Sequence, residues 1–165
     1  MAVEDYHRRR ASEYEEIYDR NDPARQEELS KIAYAAQAHL KGKSVLEVAC
    51  GTGFWTHIVS GAANRVVATD ISREMLEIAK RKGHKCKVNF AVADAYCPPF
   101  RQRTFDGGLA NLWFSHISKG RIDVFLNNFS CVLQEESRVF MADNVYTPSV
   151  GENLWQSMVM KTRTR

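Results

Sequence analysis

The sequence predicts an α/β fold, doubly wound: a mainly parallel sheet of about five strands with helices on both faces. Short aliphatic and β-branched runs alternate with helical stretches along most of the 165 residues, as in successive βαβ units. The first run, VLEVA, opens directly into Cys50-Gly51-Thr52-Gly53, a turn whose glycines let backbone approach a ligand. Acids then stand at successive strand ends, Asp70 after the second and Asp94 after the third. Right-handed crossovers bring such ends together on one edge, where ligands of open sheets bind.

The elements run in order from the N-terminus. Glu4–Arg20 is charged and helical in pattern, with Tyr6, Tyr14, Ile17 and Tyr18 as its larger nonpolar or amphipathic groups. Asn21-Asp22-Pro23 reads as a stop and a new start: Asp22 can cap, and Pro23 suits the first helical position, where its missing N–H is not needed. Leu29, Ile32, Ala33, Ala36 and Leu40 recur at helical spacing, and Gly42 is a natural end. Ser44–Ala49 is a short buried strand, Phe54–Ser60 a helix, and Arg65–Thr69 a second strand ending at Asp70. Ser72 caps a helix that carries Met75, Leu76 and Ala79 and stops at Gly83. Lys87–Val92 is the third strand and Phe105–Leu112 the fourth, rich in small residues. Arg121–Leu133 is helical, with Ile122, Phe125, Leu126 and Phe129 on one stripe, and Ser137–Ala142 is the fifth strand. In the tail, NLWQSMVMK alternates poorly, so helix and strand both stay open. One domain is expected: helices over 1–42, an α/β core over 43–146 and a divergent tail over 147–165.

Composition narrows the classes. A net charge of +3 does not point to nucleic acid or an anionic membrane. Cys50, Cys86, Cys97 and Cys131 are scattered without metal-ligand spacing, so reduced cysteines and no metal are expected. The N-terminal arginine run is followed by no apolar segment, and no window reaches the roughly 18 apolar residues of a membrane span. A soluble, cytoplasmic protein is the expectation.

The glycine turn asks which ligand it serves. A dinucleotide site wants G-x-G-x-x-G, and here the third position is Thr56. Glu47, inside the preceding strand, would repel a pyrophosphate but favour an ammonium or a sulfonium. An NAD-dependent oxidoreductase is therefore disfavoured. Asp70 lies about 20 residues beyond the turn, the distance of a carboxylate that grips a ribose diol. Asp94, in VADAY, is suited to accept from an exocyclic amine. The three acids together describe a nucleoside-type ligand carrying a cationic end.

These segments (VLEVACGTGFWT, VVATDIS, NFAVADAYCPPF and FDGGLANLWFSHI) resemble a class I S-adenosylmethionine-dependent methyltransferase with its Rossmann-like sheet. The similarity runs from the N-terminal tyrosine-rich helix through Asp143–Tyr146. It implies S-adenosyl-L-methionine as cofactor, with Glu47 near the methionine ammonium and Ala49, Gly51 and Gly53 at the turn beneath the ligand. Asp70 would hold both ribose hydroxyls, Ile71 and Met75 would pack on the adenine, and Asp94 with the Ala95 N–H would read its edge. The backbone around Asn111 would lie near the methionine end. The implied reaction is in-line methyl transfer to a small-molecule acceptor, in which the protein supplies orientation and, for a protonated amine or a hydroxyl, a base.

His116 is the base candidate, weighed against a loop-anchoring role. Trp113 and Phe114 are candidate walls of an acceptor pocket, weighed against core or lid. Tyr14, with Tyr6 and Tyr18, is a candidate cover from the first helix, weighed against simple packing. His57 and the basic cluster Arg81, Lys82, His84, Lys85 and Lys87 read as surface. Members of this family normally continue past strand five with a helix and an antiparallel strand pair. Neither is recognisable here, so the expectation is a C-terminally shortened sheet whose fifth strand is an open edge; a truncated chain, a partner or homodimer that covers the edge, and a degenerate protein that binds without catalysing are the competing explanations. The alternative to an enzyme is a non-catalytic methyltransferase-like binding or regulatory module.

Overall fold

The computed structural model describes residues 22–146 and 153–158. The predicted Glu4–Arg20 helix, with Tyr6, Tyr14 and Tyr18, lies outside them. Helix α1 (Pro23–Leu40) starts as its sequence dictates: the Asp22 carboxylate accepts from the Ala24 and Arg25 N–H groups, with Pro23 in the first turn. Gly42 comes after its end at φ 71°. Then come β1 (Ser44–Glu47), α2 (Phe54–Ser60), β2 (Arg65–Asp70), α3 (Arg73–Lys80), β3 (Lys87–Val92) and β4 (Phe105–Leu109). Two short 3-10 turns, Phe114–His116 and Lys119–Arg121, lead into α4 (Ile122–Cys131), β5 (Leu133–Tyr146) and β6 (Asn153–Met158). Ser72 caps α3 as expected, its hydroxyl accepting from the Met75 N–H.

The strand order is β3-β2-β1-β4-β5-β6. The first five strands are parallel. From β1 the chain winds outward through β2 and β3, then returns to β4 on the other side of β1. Alternation along β1 divides the core between two faces. Val45 joins Leu29, Ile32, Leu40, Trp55, Val59 and Leu76 beneath α1, α2 and α3. Leu46 joins Phe105, Phe125, Phe129, Leu133 and Val139 beneath α4. The doubly wound α/β architecture is the one the sequence predicts.

Three strands differ in their bounds, each for a backbone reason, and helix α4 ends at Cys131 rather than Leu133, which belongs to β5. β1 ends at Glu47, because Ala49 turns into the left-handed region at φ 52°. β4 ends at Leu109 rather than Leu112, and Leu112 itself has φ 56°. β5 starts earlier than Ser137: Leu133 pairs with Phe105, the register slips, and pairing resumes at Arg138 opposite Gly107. Glu136, at φ 60°, sits inside that irregularity.

The open edge expected at strand five is covered only in part. β6 pairs antiparallel along Met141–Tyr146 of β5, so the tail supplies one antiparallel strand there, while along Arg138–Phe140, where β5 pairs with β4, no strand among the described residues lies on the other side. β6 takes up β5 just where the β4 ladder, ending at Leu109↔Phe140, leaves off. Among the described residues no helix is long and apolar enough to cross a membrane.

Candidate active site

The site is built at the C-terminal edge of the sheet, where β1 and β4 lie side by side and the chain's winding reverses. After β1 the backbone coils through left-handed Ala49, Gly51 (φ 54°) and Gly53 (φ 79°). A left-handed alanine costs about 1–2 kcal/mol, and hydrogen bonds from β2 hold the loop in place. The Cys50 N–H donates to the Thr69 carbonyl at 2.9 Å and the Gly51 N–H to Asp70 Oδ2 at 2.8 Å. The two glycines serve different ends. A side chain at Gly51 would meet nothing within 4 Å, whereas a Cβ on Gly53 would come within 2.7 Å of Ala79 Cβ. Gly53 is what allows α2 to start against α3.

Asp70 ties the two halves of the site together. Its other oxygen, Oδ1, accepts from the Ser72 N–H at 2.9 Å. Each oxygen thus takes one backbone N–H and retains acceptor capacity for a ligand hydroxyl.

Glu47 is buried at 2% exposure. Its carboxylate accepts from the Thr56 hydroxyl at 2.6 Å. Burial pushes its pKa up to about 8, the Thr56 hydrogen bond opposing and the Asp70 charge adding to the rise. Thr56, the residue in place of a third glycine, is therefore the hydroxyl that supports this acid. The same burial, with both acids nearby, drives the Cys50 thiol upward.

A cavity of about 270 Å³ opens on this edge, lined by Ala49, Asp70, Ile71, Ala93, Asp94, Ala95, Tyr96, Trp113 and Arg121. Six of the residues selected from sequence meet there: Ala49, Asp70, Ile71, Asp94, Ala95 and Trp113. Ile71 is 72% exposed, a large apolar side chain beside an open cavity. Asp94 Oδ1 accepts from the Tyr96 N–H at 2.9 Å.

The other candidates are not among the lining residues. Met75 is buried in α3. Asn111 is buried behind β4, its Oδ1 accepting from the Ala142 N–H at 2.9 Å, while its Nδ2 has no partner. Phe114 packs against the core beneath α4. His116 is exposed at the end of a 3-10 turn that turns Ile117 inward instead. Tyr14 lies outside the described residues. Sequence reasoning missed Ala93, Tyr96 and Arg121. Tyr96 adjoins the VADA segment, but Arg121 reaches the cavity only because α4 begins beside it. Among the described residues no three His, Cys, Asp or Glu side chains are grouped to hold a metal.

A family model described as a methyltransferase domain matches residues 45–136. An uncharacterised protein of Methanocaldococcus jannaschii is 31% identical over 148 residues, 88% of this chain and 53% of that protein. The O-methyltransferase cnsE of Penicillium expansum is 31% identical over 136 residues, 75% of this chain and 49% of that protein. Among solved structures, the DhpI-SAM-HEP complex superposes with a TM-score of 0.69 at 27% identity, over 96% of this chain and 79% of that one. The chain spans about half the length of these two curated relatives.

Proposed function

The chain belongs to the class I methyltransferase family, and on that premise we propose that it uses S-adenosylmethionine to methylate a small-molecule acceptor. The observation that carries this reading is the Gly51–Asp70 hydrogen bond. It fixes Asp70, the acid proposed to grip the ribose diol, against the glycine turn, at a cavity that Asp94 and Ala95 also line.

The residues fit the cofactor. Gly51 opens on empty space where a side chain would otherwise stand. Glu47 is a buried acid, and the charge that acts on it is another acid, Asp70, an arrangement completed by a cation. Asp70 would accept from the ribose hydroxyls, and Asp94 with the Ala95 N–H would meet the edge of the base under Ile71. Glu47 would answer the ammonium end. When bound, this cofactor supplies an activated methyl group on a sulfonium. The chain's own part is to orient the acceptor for in-line attack and to keep water away. Trp113 is the lining residue on the β4 side and the candidate to position that acceptor.

Calorimetric titration with S-adenosylhomocysteine, with NAD as the control, tests the reading. Stoichiometric binding of the first and none of the second is expected. A folded chain that binds neither would overturn it. Binding without turnover on amine, hydroxyl and carboxylate acceptors would select the non-catalytic alternative.

A further inference from the structure

We propose that Trp113 and Arg121 form an oxyanion subsite that takes a carboxylate or phosphoryl group of the acceptor, an inference that rests on reading the cavity as a methyl-transfer site. Arg121 closes the second 3-10 turn immediately before α4 and lines the cavity. Its guanidinium carbon lies 3.5 Å from the centroid of the Tyr96 ring. Among the described residues no carboxylate pairs with it.

Tyr96 is a fixed plate for this cation. Its N–H donates to Asp94 Oδ1 at 2.9 Å, and its carbonyl accepts from Asn128 Nδ2 at 2.7 Å. Its ring stands edge-on to Trp113, at 5.9 Å between centroids, and to Phe125, at 6.4 Å. Stacking on Tyr96 occupies the face of the guanidinium and leaves its edge free. That edge is a planar fork of N–H donors, matched to two oxygens of a carboxylate or a phosphoryl group.

Trp113 adds an independent observation. Its indole lines the same cavity, and its Nε1 is buried with no acceptor. A buried N–H left unmatched is costly, and indole can only donate. The acids already on the wall, Asp70 and Asp94, accept from backbone N–H groups and not from the Trp113 indole. The cavity wall thus carries two acids, Asp70 and Asp94, and also a cation, Arg121, with an unmatched donor, Trp113. A cationic group would be repelled by Arg121, and a neutral one would leave its exposed guanidinium to water. An oxyanion satisfies both donors.

The test uses the chain carrying ¹⁵N-labelled tryptophan and saturated with S-adenosylhomocysteine. Benzoate, phenylphosphonate and neutral benzamide are titrated separately while the indole N–H signals are followed. Trp113→Phe assigns the Trp113 signal. That signal should shift saturably with benzoate or phenylphosphonate and not with benzamide, and the stronger of the two names the carboxylate or the phosphoryl class. Arg121→Ala should weaken the anion by about ten-fold or more, and Arg121→Lys should restore part of it. Affinity for S-adenosylhomocysteine should stay within about two-fold in both. An equal response to benzamide, or none to either anion in the loaded protein, would overturn the subsite. So would an Arg121→Ala defect confined to S-adenosylhomocysteine, which would assign the arginine to the cofactor wall. Failure of the parent chain to bind S-adenosylhomocysteine would instead overturn the methyl-transfer reading on which the subsite rests.

Discussion

The Thr56 hydroxyl donates to the Glu47 carboxylate at 2.6 Å, across nine positions of sequence and with both residues buried. The pair joins the first turn of α2 to the end of β1, so the helix beyond the glycine loop supports the acid that precedes it. Thr56→Val keeps the shape and deletes the donor. It should cost about 1–3 kcal/mol of stability by denaturant unfolding, and should weaken S-adenosylhomocysteine by about ten-fold in calorimetry. Thr56→Ser should recover most of both. An unaltered Thr56→Val protein would show that the pair contributes nothing.

The raised pKa of Glu47, about 8 in the folded chain, sets a pH dependence. A carboxyl whose folded pKa exceeds its unfolded value holds a proton more tightly when folded. Its contribution to stability is greatest at low pH and falls as pH rises from the ordinary carboxylate range to about 8. The loss is at most about 1.4 kcal/mol per pH unit. Glu47→Gln should therefore gain stability relative to the parent as pH rises through that window, measured as Tm. Binding a cationic amino-acid end favours the ionised carboxylate, so S-adenosylhomocysteine should release about one proton at neutral pH. Calorimetry in two buffers of different ionisation enthalpy reads that release, and it should vanish in Glu47→Gln.

Asp70 is a brace, accepting from Gly51 and Ser72 at once, and is the acid proposed to hold the ribose. Asp70→Ala should weaken S-adenosylhomocysteine by roughly 1.5–3 kcal/mol, the value of a charge-assisted hydrogen bond, and should also lower Tm through the loosened loop. Asp70→Asn, which retains one carbonyl acceptor, should lose binding but less stability. Equal affinity in all three proteins would mean that the ribose end lies elsewhere.

The two glycines of the turn should fail differently. Gly53→Ala forces a Cβ against Ala79 at 2.7 Å, at a φ of +79°. That should cost roughly 2–4 kcal/mol of stability, and Ala79→Gly in the same chain should relieve only the steric part. Gly51→Val has open space for its Cβ. Its stability should fall by about 1–2 kcal/mol from the backbone conformation, while its affinity for S-adenosylhomocysteine should fall by more than about ten-fold. Matching losses in the two variants would erase this division of labour.

Local signals make much of the fold legible. Asp22 before Pro23 and Ser72 before α3 act as caps because side-chain oxygens reach N–H groups two or three residues away, a relation a sequence displays directly. The long-range part is hidden. The sequence pattern carries the helix to Leu133 and starts β5 at Ser137, yet Leu133 already pairs as strand and the ladder resumes beyond Glu136. β6 lacks clean alternation and becomes a strand through its pairing with β5. Tyr96 and Arg121 are far apart in sequence and meet only because the loop after β3 crosses to the start of α4. His116 carries a chemical signal, and the turn that holds it faces the residue outward.

The way β5 hands over from one neighbour to the next gives the chain a seam. The lining residues of the cavity run from Ala49 to Arg121, and the parallel ladder that supports them ends at Phe140. β6 engages β5 only past that point. Ala142 and Asp143 still hold the loop that carries Trp113, through Asn111, Leu112 and Ser115, so it is the chain past Asp143 that can be lengthened or replaced with the ladder and that loop left intact, a margin open to revision beside a fixed cavity wall.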